Sequence, residues 1–186
     1  YEEDVVFTEG IAIRSVDGAS STFITGSVTI DSVGGAPVLS GFTISGDITV
    51  WSVDSEVNDN IIDGGTLTWH YANGAILNNQ FIGGSTGIAL DYYASPEIAE
   101  NQFSGQTDEG IHCRIGSAPH VWGNEFSAMD GYAISCSSEP LIEANTITDC
   151  NIGVGVTGEA LVTGNEISGC AQAIESYDCN AEISGN

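Results

Sequence analysis

Short runs of alternating apolar and polar residues recur along this chain about every twenty positions. Val57, Ile76, Ile98, Val121, Ile142, Val162 and Ile183 each stand three positions before an asparagine. Those asparagines are Asn60, Asn79, Asn101, Asn124, Asn145, Asn165 and Asn186, separated by 19, 22, 23, 21, 20 and 21 residues. Two positions after all but the last comes a further apolar residue: Ile62, Phe81, Phe103, Phe126, Ile147 and Ile167. The segment Ile98-Ala99-Glu100-Asn101-Gln102-Phe103 therefore reads as short strand, bend, short strand. Turn residues follow, such as Gly83-Gly84, Gly105, Asp130-Gly131 and Gly169. A second apolar strand comes after them, at 87–90, 110–113, 133–136 and 153–156. No stretch sustains a 3.6-residue apolar period, so helices should be rare.

A fixed period of this length means one structural unit stacked repeatedly. Coils of roughly 21 residues, each with several short strands, predict an all-β, right-handed parallel β-helix. The same frame appears at 39–44, where Phe42 replaces the Asn, and strands are expected at 5–7, 11–13 and 28–30. The total is roughly nine coils, a rod on the order of 40 Å long at the usual strand spacing. The Asn side chains should point inward and bond the backbone and the Asn of the next coil, pairing polar groups that would otherwise be buried alone. The expected core includes Ile98, Phe103, Val121, Phe126, Ile142, Ile147, Val162 and Ile167.

The frame Pro-Glu-Ile-Ala-Glu-Asn-Gln-Phe-Ser-Gly (96–105), the opening at 1–18 and Leu-Ser-Gly-Phe-Thr-Ile-Ser-Gly (39–46) resemble right-handed parallel β-helix repeat proteins of the pectate-lyase-like superfamily, many of them secreted. The resemblance spans the chain and implies a fold. It does not choose among the lyases, hydrolases, epimerases, tailspikes and non-catalytic surface proteins built on that fold. The chain is read as one domain, 1–186, the mature part or a fragment of something longer.

Composition narrows the partners. The net charge of −24 comes from 26 acidic residues and two basic ones, Arg14 and Arg114. The acidic share is ordinary; the cations are depleted. That pattern suits a secreted or cell-surface protein better than a salt-adapted cytosolic one. No basic patch can form, which excludes nucleic acid as a partner. Anionic polysaccharides would be repelled unless cations bridged them. No apolar run is long enough to insert in a membrane as a helix.

Of five cysteines, Cys113 and Cys136 hold equivalent places on successive coils, as do Cys150 and Cys170, while Cys179 is odd. Stacked neighbours fall within disulfide reach, and a stack of buried free thiols fits equally. No CxxC pair suggests zinc.

Candidate chemistry clusters on adjacent coils. Trp69, Asp91 and Arg114 lie ten positions before a ladder Asn, Trp51 and Tyr92 nine, Tyr71 and Tyr93 eight, with His70 and His112 beside them. Trp51, Trp69, Tyr71, Tyr92 and Tyr93 are candidates for stacking on neutral sugars; covering a coil edge or a subunit contact is the alternative. Asp91, Arg114 and His112 are the catalytic candidates. In the superfamily it resembles, β-elimination combines carboxylate-held Ca²⁺ with an Arg or Lys base, and Arg114 beside Asp91 echoes that. There is no Lys to neutralise a uronate, however, and the paired-Asp, Gly-His-Gly and Asp-Pro-His patterns of related enzymes are absent. Glu56, Glu97, Asp108, Asp130 and Asp149 are expected on a solvated rim, where Ca²⁺ is the one cofactor they could hold. The leading expectation is a non-catalytic extracellular module that binds a neutral glycan or other copies of itself. The competing one is a Ca²⁺-dependent lyase. Neither a capping helix nor a polar terminal coil is evident, so end-to-end association into a filament is also expected.

Overall fold

The computed structural model describes residues 2–31, 34–51, 53–114, 116–178 and 180–186. Among them there is no helix. Cys179 lies outside them.

Among the described residues, eight coils each contribute one short strand to each of three parallel sheets, and the ninth contributes to the first two. The first sheet has nine strands, from Val5–Phe7 to Gln172–Tyr177; the second has nine, from Ala12–Arg14 to Glu182–Ser184; the third has eight, from Phe23–Ile24 to Glu166–Ser168. Every strand pairs with the equivalent strand one coil away, which makes a parallel β-solenoid.

The ladder directs the bend between the second and third sheets. The residue before each ladder Asn is left-handed: Asp59, Asn78, Glu100, Gly123, Ala144, Gly164 and Gly185 all have φ between 52° and 67°. This reverses the strand and turns the Asn inward. Asn60, Asn79, Asn101, Asn124, Asn145 and Asn165 are buried. Asn101 shows the pattern. Its Oδ1 accepts the backbone N–H and the Nδ2 of Asn79, at 2.9 and 3.0 Å. Its Nδ2 donates to the carbonyls of Ile76 and Ala99 and to Oδ1 of Asn124. The second coil, with Phe42 in this position, joins by its backbone alone, the Phe42 N–H donating to Asn60 Oδ1 at 3.0 Å.

Alternation then fills the interior. Val57, Ile76, Ile98, Val121, Ile142 and Val162 stack from the second sheet, and Ile62, Phe81, Phe103, Phe126 and Ile147 from the third, all fully or almost fully buried. Phe81, Phe103 and Phe126 stack nearly parallel, 4.7 and 4.6 Å between ring centres. Ile167 departs from expectation: it is only partly buried, since it lies on the last strand of its sheet.

Cys113 and Cys136 meet across the first sheet and form a disulfide. Cys150 and Cys170 remain free thiols. Burial pushes the Cys150 thiol up to about 11, and the neighbouring Cys170 adds to the shift.

Candidate functional site

The site lies where the first sheet ends and the chain turns toward the second. Strand register places Asp31, Trp51, His70 and Asp91 in one row across four coils. Arg114 continues it, its N–H donating to Leu90 O at 3.0 Å. These side chains point outward because the residues before them, Val50, Trp69, Leu90 and Cys113, point into the core.

That alternation overturns one sugar-stacking candidate. Trp69 is 0% exposed, packed in the core with its indole N–H donating to Asn73 O at 3.1 Å, and offers no face to a ligand. His70 takes the outward place instead. Its imidazole stacks on Trp51 at 3.9 Å between centres and 16° between planes. Tyr92 leans over it at 5.7 Å, and Tyr71 and Tyr92 stack on each other at 5.0 Å and 9°. Trp51 is 37% exposed, Tyr71 54%, Tyr92 51% and Tyr93 73%.

The three tyrosines sit at a bend with φ of 53°, 55° and 64°. Left-handed backbone is uncommon for a bulky side chain; here it turns the chain out of the first sheet, as the same φ turns it at the ladder bends. Tyr93 is seated by a glycine of the next coil: a Cβ on Gly116 would come within 2.7 Å of its ring.

Polar groups complete the strip. Asp91 is buried, with Oδ1 3.0 Å from Arg114 Nε and Oδ2 3.7 Å from His70 Nδ1. The Arg114 approach is close enough for an ion pair, but its angle leaves Asp91 Oδ1 without a directed hydrogen bond. His70 Nδ1 also has no hydrogen-bond partner. Burial lowers the His70 pKa; Asp91 opposes the shift and Arg114 adds to it. Asp91, Tyr92, His112, Arg114 and Ser137 line one open hollow. His112 is in the next outward row, with Nδ1 3.0 Å from Glu109 Oε1. Tyr93 belongs to a second hollow with Gly116, Ser117, Ser137, Ser138, Glu139 and Glu159, and Ser137 joins the two.

The sequence reading missed His70 as the centre of the aromatic stack, and Gly116 and Ser137 altogether. A signal for His70 was present: like Trp51, it lies nine positions before its ladder Asn. Three of the five rim acids have partners in the fold: Glu97 accepts Trp122 Nε1 at 2.9 Å, Glu56 accepts Asn58 Nδ2, and Asp108 accepts Ser85 Oγ. Among the described residues, no three of His, Cys, Asp and Glu converge as metal ligands.

The sequence pattern of the right-handed β-helix region family matches residues 47–186, and the chain belongs to that family. Comparison with curated proteins and with solved structures returns no match.

Proposed function

We propose that this β-helix is a non-catalytic, extracellular glycan-recognition module, and that Trp51, Tyr71 and Tyr92 stack on uncharged sugar rings, with Tyr93 beside them. The observation that carries the reading is the exposed Tyr71–Tyr92 stack, whose Tyr92 shares one hollow with the Asp91–Arg114 pair. Aromatic faces take the apolar faces of a pyranose, and the Asp91 carboxylate and the exposed Arg114 guanidinium take its hydroxyls. Pairing with Asp91 compensates the Arg114 charge, which suits orienting a neutral hydroxyl more than holding a uronate. A charge of −24 disfavours acidic glycans.

A glycan array followed by calorimetry tests this. Tyr92→Asn removes the ring but tolerates the left-handed bend, and should weaken binding about ten-fold while leaving thermal stability unchanged. Unsaturated product absorbing in the ultraviolet, formed by the wild type and lost in Arg114→Ala, would replace this reading with the Ca²⁺-dependent lyase.

End-to-end association is the second reading. Val6, Ile11, Val16 and Phe23 are exposed on the first coils, around a hollow that reaches Ile13, Ile24, Leu39 and Phe42. Such an exposed apolar surface recruits another chain. Light scattering of the 186-residue chain, with and without salt and Ca²⁺, should then show concentration-dependent growth; strict monomers at high concentration remove this reading.

A further inference from the structure

The hollow beside Tyr93 differs in chemistry from the aromatic platform it adjoins. The Tyr93 ring lies with one side against Gly116 and is 73% exposed overall, so its other face is open. Glu139 and Glu159, both exposed, stand on consecutive coils around it. Ser117 lines the hollow, is 0% exposed, and its Oγ has no hydrogen-bond partner. Among the described residues, no basic side chain lines the hollow. An open π face and two carboxylates, over a buried hydroxyl left without a partner, match an ammonium group: the ring quadrupole attracts a cation, and an ammonium donates hydrogen bonds and accepts none. The field of a chain with 26 acidic and two basic residues raises the local concentration of cations further.

We infer that the hollow formed by Tyr93, Ser117, Glu139 and Glu159 is a subsite for the protonated amine of an amino sugar. The glycan then carries at least one unacetylated 2-amino unit next to the neutral units stacked on Tyr71 and Tyr92. This rests on the glycan-binding reading above and specifies its ligand. The two hollows meet at Ser137, so adjacent units of one chain can fill both.

Three β-1,4-linked tetrasaccharides test the inference by calorimetry at low salt: those of glucose, N-acetylglucosamine and glucosamine. They share a backbone and differ only at C2, as hydroxyl, acetamide or ammonium. The glucosamine oligomer should bind about ten-fold more tightly than the other two. Glu139→Gln with Glu159→Gln should abolish that preference, bringing the glucosamine oligomer down to the affinity of the other two. Asp63→Asn with Glu166→Gln, the same charge change at exposed acids in other hollows or none, should preserve it. Equal loss in both double variants would mean attraction by net charge alone and overturn the subsite. Equal binding of all three oligomers, still sensitive to Tyr92→Asn, would also overturn it while the glycan reading stands. No binding of any oligomer, with a blank glycan array, removes both.

Discussion

Each ladder Asn satisfies groups on two coils, so its removal orphans several buried partners at once. In Asn101→Leu, the N–H and one Nδ2 hydrogen of Asn79 and the carbonyl of Ile76 lose their partners. At about 1–3 kcal/mol for each unsatisfied buried group, the loss should reach about 3 kcal/mol or more, read as a lower denaturant midpoint. Asn101→Asp keeps the acceptor oxygen and should cost less at a pH where it is protonated. A second residue-scale prediction concerns Cys150, whose thiol is raised from 9.0 to about 11 by burial. The unfolded chain ionises first, so the stability this thiol contributes is present below about pH 9 and is lost as pH rises toward 11. Alkylation at pH 8 should label half-exposed Cys170 before Cys150, by peptide mass mapping. Earlier labelling of Cys150 would show that its pocket opens. The ladder was legible at this scale because seven Asn share one spacing and one pair of apolar flanks. The outward residue of each aromatic coil was not. Tyr71–Asn73 separates strands in one coil, while residues 92–96 do so in the next. Counting back from the Asn therefore slips by one residue, and in a strand one residue exchanges inside for outside. Trp69 and His70 changed places for that reason.

At the scale of the element, strands of two to six residues have little stability of their own, and stacking in register holds them. The phenylalanine column in the third sheet concentrates this effect. Phe126 is buried against Phe103, and Gly110 lies beneath it so closely that a Cβ there would come within 2.9 Å of the ring. Phe126→Ala should cost about 3–5 kcal/mol by calorimetry or denaturant unfolding, since the rigid coils above and below cannot collapse into the space. Gly110→Ala should also destabilise, by pushing the ring from its stack. A loss under about 1 kcal/mol in the Phe126 variant would mean that the column is not the core of these coils. The strands themselves were legible from apolar alternation. The hollows were not, because they depend on which side chains neighbouring coils place over one another. Gly116 reads in sequence as an ordinary turn glycine. Only its position beneath Tyr93 shows that it seats an aromatic ring.

Across the whole molecule, charge is the largest feature that the fold does not compensate. Among the described residues, the ion pairs are Arg114 with Asp91 and three histidine–carboxylate contacts, against 26 acidic residues in the chain. The solenoid holds these carboxylates on a compact rod, whereas unfolding lets them separate. Mutual repulsion therefore opposes folding, and salt should relieve it. Between 0.01 and 0.1 M the screening length falls from about 30 to about 10 Å, which spans roughly two to six coil spacings. The unfolding temperature should rise steeply over that range, well before ion-specific effects on surface hydration take over. A protein held together by exposed ion pairs would shift the opposite way. Neutralising acids should substitute for salt: exchanging Asp63, Glu125 and Glu166, exposed on the outward face of the third sheet, for their amides should raise the unfolding temperature at 0.01 M and have little effect at 0.5 M. An unfolding temperature that stays flat from 0.01 to 0.1 M would show that the acids are spaced widely enough to ignore one another. The charge would then act only on partners, selecting the cationic and neutral ones.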